Sequence, residues 1–294
     1  YNSGCHIQQV LDSILGQEGL DKIFELELLV FDDCSTDDTQ TILSDNNIQF
    51  RTNSKNTGGP NHGRNIALSI CTGDYICISD HDDIWFPNKV LKLLAVVDLA
   101  PIITSGYTLL NKSTGEQTSR VNSSIDNSGY ILYSRNDTFI SKLIKSSTGQ
   151  QTYLGSIMFS SRFKDVLFEE KYGMIDFDWI LRLFHNQKSV EVCDPLYLRT
   201  VDGLNLSLNE QYRINDYNYS LASVTEYNNK YEKEVIIGKK RINGSMGRYY
   251  YLVDNMPMAR KYFVRSELDW KIILYLMTTF VGSKLVKKWF NVFG

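Results

Sequence analysis

A chain of 294 residues is long enough to bury a sizeable core and fits one large α/β domain with an appendage. With 43% hydrophobic and 22% charged residues it has the composition of a folded globular protein, which excludes wholesale disorder. A net charge of −3 carries no footprint for nucleic acid, and five cysteines scattered without a CxxC pair make neither a zinc motif nor a disulfide framework, so a reducing cytosol is the expected compartment.

Tyr1 to Gly4 reads as a turn, and Ile7, Val10, Leu11, Ile14 and Leu15 then recur at helical spacing. Glu25 to Phe31 has the content of a strand and runs into the acidic loop Asp32-Asp33-Cys34-Ser35-Thr36-Asp37-Asp38, after which Thr39 to Asn46 reads as helix. A strand over Ile48 to Arg51, the loop Asn56-Thr57-Gly58-Gly59-Pro60 and a helix over Asn61 to Thr72 follow. Tyr75 to Ile78, aromatic and β-branched, suits a buried strand that ends in Asp80-His81-Asp82-Asp83. Pro87 near the next helix start and the apolar spacing of Val90, Leu93, Leu94 and Val97 complete the pattern. Alternating strands and helices predict a mostly parallel sheet covered on both faces.

Further on, the sequence predicts a strand over Ile102 to Leu110, an exposed loop or hairpin from Asn111 to Gly129 and a helix over Tyr130 to Ile144. A strand over Thr152 to Phe159, an amphipathic helix over Ile175 to Phe184 and strands at Val190 to Cys193 and Leu196 to Arg199 follow. The organisation expected is a domain over 1–208, divided into halves at 1–100 and 101–208, and a Tyr-rich helical extension over 209–294. In that extension Ile272 to Ser283 carries no charge yet is shorter than the about 20 apolar residues a bilayer span takes. With Lys284, Lys287, Lys288, Trp289, Phe290 and Phe293 beyond it, residues 270–294 suit either a helix packed on the protein or one lying on a membrane surface.

Three carboxylates within Asp80 to Asp83 repel one another unless a cation offsets them. Oxygen-only ligands favour Mg²⁺ or Mn²⁺, which in turn favour phosphate as a further ligand. The strand end where they sit is the edge at which open α/β sheets bind ligands. Asp82 is the main candidate ligand and Asp80 the second, with a contact to ribose also open to it; Asp83 has Lys89 or Arg64 as alternative partners. Asp32 and Asp33, at another strand exit, suit hydrogen bonds from a base N–H or ribose hydroxyls, whereas Asp37 or Asp38 suits the start of a helix. Gly58 and Gly59 permit close backbone approach, and Arg64 offers a planar charged fork to a diphosphate or to an Asp.

Taken together, Asp32-Asp33-Cys34-Ser35-Thr36-Asp37, Asn56-Thr57-Gly58-Gly59, Gly63-Arg64-Asn65, Asp80-His81-Asp82-Asp83 and Asp176 in Ile175-Asp176-Phe177-Asp178 resemble the family 2 glycosyltransferases of the GT-A fold, over roughly Tyr1 to Ser207. The resemblance implies a Rossmann-like α/β domain and an inverting, Mn²⁺- or Mg²⁺-dependent hexosyl transfer from a nucleotide-sugar donor. UDP-sugar is the first choice, and dTDP-rhamnose is the alternative suggested by Asp80-x-Asp82-Asp83-Ile84-Trp85. It implies a base at Asp176, with Asp178 as rival, a nucleobase contact at Tyr1, and metal ligation at Asp80 and Asp82. Ile175 stands where the family has Glu, which gives Asp176 a more apolar setting. Arg199 to Ser207 is similar to the family's closing loop, with Asp202 where His is usual. Likeness to bacterial enzymes of surface polysaccharide and O-antigen synthesis implies a lipid-linked saccharide acceptor at the inner face of the cell membrane. Two other classes compete: a sugar nucleotidyltransferase, whose Gly-rich, Arg- and Lys-bearing first loop is missing from Tyr1 to Gly16, and a catalytically silent nucleotide-sugar-binding module.

Overall fold

The computed structural model describes residues 1–124, 128–201 and 209–283. The chain divides into two compact units, one of Tyr1–Phe139 with Gly149–Asn205 and one of Ile140–Thr148 with Leu206–Gly294.

In the first unit α1 (Ile7–Leu15) buries Ile7 and Leu11 against Leu43 of α2 (Thr39–Asp45), and Val10 and Ile14 against Trp85 and Tyr197. Its apolar stripe recurs every three to four residues, so two neighbours share one face of the helix. β1 (Val30–Asp32) pairs in parallel with β2 (Phe50–Thr52), bringing Asp32 opposite Thr52. Only the end of the strand expected from Glu25 is therefore laddered. α3 (Asn61–Ile70) follows β2.

A seven-stranded sheet has the order β3 (Tyr75–Cys77), β8 (Met158–Ser160), β5 (Ile102–Asn111), β9 (Ser189–Val201), β4 (Ile84–Trp85). β6 (Gln117–Arg120) adds a hairpin to β5, as the segment after Asn111 predicts, and β7 (Tyr130–Tyr133) pairs with β9. The long strands β5 and β9 run parallel, and β3 shares their direction because β3 and β5 each run antiparallel to β8. β4, β6 and β7 run antiparallel to their partners. α4 (Lys89–Leu94) is the helix expected after Pro87. Leu93 and Val96 in and after it pack on Ile103, Met158 and Val190 of the sheet.

Three expectations are corrected. Tyr130 to Ile144 is a strand followed by a short helix, α5 (Asp137–Leu143), not one helix. Asn136 takes φ +73° between them, which no helix accommodates, and the aromatic residues of β7 find a ladder partner in β9. Thr152 to Phe159 begins as a 3₁₀ turn over Leu154–Ser156 and becomes strand only at Met158. The two short strands after Ser189 are one, kept continuous by a register shift beside Gly106, where a Cβ would lie 2.7 Å from the Arg120 carbonyl oxygen.

In the second unit α7 (Glu210–Thr225), α8 (Glu232–Leu252), α9 (Met256–Phe263) and α10 (Trp270–Thr278) follow one another. Asn209, Asn255 and Asp269 cap the first, third and fourth by accepting from the N–H groups of Tyr212, Met258 and Ile272. Tyr251, Phe263 and Tyr275 form the aromatic centre, with ring centroids 5.0 Å apart for Tyr251 and Tyr275 and 5.7 Å for Phe263 and Tyr275. Among the described residues no helix is long and apolar enough to cross a membrane.

Candidate active site

The acidic loop after β1 is knitted to the N-terminal turn. Asn2 N–H donates to Ser35 Oγ at 2.8 Å, Gly4 N–H to Asp37 Oδ2 at 2.9 Å, and Thr36 N–H to Asn2 Oδ1 at 2.9 Å. Asp37 also accepts from Thr39 N–H at 3.1 Å, so it and not Asp38 satisfies the first turn of α2. Tyr1 stands beside this loop with 53% of its surface exposed.

Asp32 is buried and its carboxylate accepts from Ser35 N–H and Oγ, Gln40 Nε2 and Thr52 Oγ1. Burial pushes its carboxyl up, yet these donors outweigh burial and hold it below the usual range. Asp33 holds the next loop. Its Oδ1 accepts from Asn53 Nδ2 at 2.8 Å and Thr57 Oγ1 at 3.0 Å, and its Oδ2 from Thr57 N–H at 2.9 Å. Each carboxylate has one oxygen with three protein donors and one with a single donor, but Asp32 is buried and Asp33 partly exposed, so Asp33 is the more accessible to a ligand.

Gly58 takes φ +88°, a conformation open to glycine, and its N–H donates to Asn56 Oδ1 at 2.8 Å. Gly59 lies so close to Gly173 that an added methyl would run into the Gly173 carbonyl oxygen. At the start of α3, Asn61 is fully buried and Arg64 follows one turn later. Arg64 pairs with Asp80 and donates to Asn61 Oδ1 at 3.0 Å; its guanidinium also lies 5.3 Å from the Phe168 ring centroid.

Asn61 carries the connection onward. Its Nδ2 donates to the carbonyls of Glu169 at 2.9 Å and Ile175 at 3.1 Å, and its N–H to Gly173 O at 2.9 Å. Glu169, itself buried, accepts from the N–H groups of Tyr172, Met174 and Ile175 at 2.7, 3.1 and 2.9 Å. This carboxylate shapes the loop that delivers Asp176 to the N-cap of α6 (Phe177–Phe184). Neither Asn61 nor Glu169 stands out in the sequence; the one available signal was Asn61's place directly after Gly-Gly-Pro at a helix start.

Asp176 is half-buried and Ile175 beside it is 1% exposed, so the isoleucine turns into the core. The rival Asp178 is buried, pairs with Arg182 at 2.6 Å, and has its other oxygen buried with no hydrogen-bond partner. Burial raises its carboxyl despite Arg182.

Asp80 and Asp82 are both partly exposed, whereas Asp83 is buried against Gly155 and Tyr197. Burial, followed by the charges of Asp80 and Asp82, raises the Asp83 carboxyl, while Lys89 and Arg199 pull it down. Lys89, fully buried, donates to Gly155 O and lies 4.7 and 4.8 Å from the Trp85 and Tyr197 ring centroids. Neither Lys89 nor Arg64 forms an ion pair with Asp83 among the described residues. Two outward carboxylates remain. Among the described residues no three acidic, His or Cys side chains converge as a cage, but Mg²⁺-type sites use one or two carboxylates completed by substrate phosphates, and Asp80 with Asp82 fits that donor set. Of the closing loop, Arg199 to Val201 end β9, whereas Asp202 to Ser207 lie outside the described residues.

Replacing Gly59 by Ala is expected to push the Gly58-Gly59 loop away from the 169–176 loop, since the added methyl meets backbone and not a flexible side chain. Donor binding should weaken about tenfold or more while the fold survives, as overpacking costs roughly 1–3 kcal/mol. Titration with donor alongside thermal melting measures both, and unchanged donor affinity would count against this coupling.

The profile of the family described as Glycosyl transferase family 2 matches residues 1–166. That is more than half of the chain, and the protein belongs to this family of glycosyltransferases. Among curated relatives, the dTDP-rhamnosyl transferase RfbG of Shigella flexneri is 32% identical over 99 residues, which are 31% of this chain and 33% of RfbG. The poly(ribitol-phosphate) beta-N-acetylglucosaminyltransferase TarS of Staphylococcus aureus is 37% identical over 96 residues, 31% of this chain and 16% of TarS. In both, the matched region is a third of the relative's length or less. The crystal structure of S. aureus TarS 1-349 superposes with a TM-score of 0.63 at 18% identity, covering 90% of this chain and 77% of that one. Its complex with UDP-GlcNAc gives 0.57 at 17% identity, covering 95% and 88%. That likeness establishes the GT-A fold of the chain.

Proposed function

We propose that the chain is an inverting, metal-dependent hexosyltransferase that moves a sugar from a UDP-sugar to a hydroxyl of a lipid-linked saccharide in bacterial surface polysaccharide synthesis. The observation that carries this reading is the line of contacts Asp80, Arg64, Asn61, Ile175. It ties the acidic strand end to the loop presenting Asp176. A donor group at the first and an attacking hydroxyl at the second would be held by one hydrogen-bonded frame, which is how enzymes gain from orientation.

In this reading Asp176 takes the proton of the acceptor hydroxyl as its oxygen attacks the anomeric carbon, and the bond to the nucleoside diphosphate breaks on the opposite face. Tyr1 lies against the base, and Asp33 accepts from base or ribose. Asp32 keeps its loop in shape. Gly58 allows the backbone to approach the donor, and Arg64 holds Asp80 in place. Asp80 and Asp82 would hold Mn²⁺ or Mg²⁺, which would supply positive charge to offset that of a diphosphate leaving group.

TarS has been crystallised with UDP and UDP-GlcNAc, which supports a uridine donor here. The RfbG relative favours a second reading, transfer of rhamnose from dTDP-rhamnose. Thermal stabilisation and Mn²⁺-dependent hydrolysis across a panel of UDP-, GDP- and dTDP-sugars separates them. A response to UDP-sugars supports the first, a response confined to dTDP-rhamnose the second, and none at all overturns both.

The reading includes contact with a membrane surface through α10. This helix buries Ile272 and Tyr275, each 3% exposed, while Trp270 and Met277 within it and Phe280 and Val281 in the turn that follows are 63 to 75% exposed. One face packs on its own unit, and an apolar face remains outside, above the usual scatter of single exposed residues. The lysines at 284, 287 and 288 lie outside the described residues. Because truncation would remove buried core, the test is Trp270→Ser with Phe280→Ser. Sedimentation with phosphatidylglycerol vesicles should fall several-fold, and unchanged sedimentation would remove the membrane from the proposal.

A further inference from the structure

The second unit contains a cavity of about 410 Å³ walled by α7, α8, the start of α10 and the turn at 145–147. Five cationic side chains line it: Lys145, Arg213, Lys240, Arg241 and Arg248. Three acids share the wall, and each is committed locally. Glu267 pairs with Arg241 at 2.5 Å, Asp269 accepts from Ile272 N–H at 2.8 Å as the α10 cap, and Asp216 accepts from Ser220 Oγ at 3.2 Å. Arg248 and Lys240 form no ion pair or side-chain hydrogen bond among the described residues, and both are exposed.

Like charges gathered in this way repel, and five cations against three carboxylates leave the wall with an excess of positive charge, which Asp269 offsets only in part at Arg248. Although the residue as a whole is exposed, the cavity wall desolvates the Arg248 guanidinium and, with the Arg213 charge, pushes it below its ordinary value, against Tyr275 and Asp269, which raise it. Lys145 takes φ +51°, an uncommon conformation for a side-chain-bearing residue, and lines the cavity from the turn that closes it. Ser147 and Ser245 add exposed hydroxyls to the same wall. Guanidinium forks with hydroxyls match the several acceptor oxygens of a phosphoryl group better than a single carboxylate does. The volume lies in the range of small-molecule pockets, about 300–1,000 Å³, and so exceeds what a lone ion needs.

We propose that this cavity is a binding site for a phosphate-bearing ligand, recognised by Arg248, Arg213 and Lys240. The phosphate belongs either to a soluble phosphorylated molecule or to a lipid head group, and the chemistry of recognition is the same. The site is separate from the acidic site of the first unit and stands whether or not the transferase reading holds.

Calorimetric titration of the full chain with inorganic pyrophosphate at low salt, in EDTA so that no metal-held diphosphate forms at Asp80 and Asp82, tests it. Binding is expected, and Arg248→Gln should weaken it about tenfold or more, as loss of a charge-assisted hydrogen bond does. Arg248→Lys should retain part of it, Asp82→Ala should leave it unchanged, and added salt should diminish it. Lys240→Gln, at an exposed position, repeats the test if the Arg248 variant folds poorly. A parallel arm uses phosphatidylglycerol and phosphatidylcholine vesicles. Arg248-dependent binding to the anionic vesicles without pyrophosphate binding identifies the head group as the source. A wild-type chain that binds neither probe, or variants that bind as tightly as wild type, would overturn the proposal.

Discussion

Asp176→Asn is expected to lower transfer by about a thousandfold, the scale of a lost general base, while donor affinity stays near wild type. The amide keeps the size of the side chain at the N-cap of α6 but cannot take a proton from the acceptor. Asp178→Asn serves as the contrast. Asp178 is buried and paired with Arg182 at 2.6 Å, so its loss should register in the melting temperature, with chemistry per folded molecule retained. Steady-state kinetics and melting curves on both variants distinguish the roles. If Asp178→Asn abolished turnover in a well-folded protein while Asp176→Asn spared it, the assignment of the base would be reversed. If wild type itself showed no turnover with any donor it binds, the silent binding module would be the correct reading.

Asp82→Ala is expected to reduce donor affinity and turnover together, by roughly a hundredfold or more, because in the proposed function Asp82 would hold the cation that offsets the diphosphate charge. Chelation by EDTA should reproduce the loss in wild type, and Mn²⁺ or Mg²⁺ should restore it there but not in the variant. Asp80→Asn should be compound in effect, since Asp80 also holds Arg64, and through Arg64 and Asn61 reaches the loop before Asp176. Full activity of wild type in EDTA would remove the metal from the proposal. Asp83 is not expected to substitute for either acid, because it is buried against Gly155 and Tyr197, with Asp80 and Asp82 opposing its ionisation.

The candidate residues were legible one by one, because each belongs to a short local pattern. An apolar strand that stops in carboxylates, a Gly-Gly turn before a helix and an acid opening an amphipathic helix are all written within a few consecutive residues. Helices α1, α3 and α4 were legible for the same reason, since their apolar spacing is a local periodicity. Tyr130 to Ile144 misled because Ile131, Leu132 and Phe139 suit a helix locally, whereas β9 supplies a ladder for Tyr130–Tyr133 from about sixty positions away.

By itself the sequence determined which chemistry-bearing groups exist and at which element ends they stand, since both depend on neighbours along the chain. Only the tertiary structure decided how those ends are joined. Asn61 and Glu169 are ordinary polar residues in sequence, and they became central when folding buried both and brought the 169–176 loop onto the start of α3. A buried amide or carboxylate must find partners wherever the fold places them, and here those partners lie more than a hundred residues apart for Asn61. The same holds for the cations of the second unit, which are dispersed from Lys145 to Arg248 along the chain and meet around one cavity because its helices pack together.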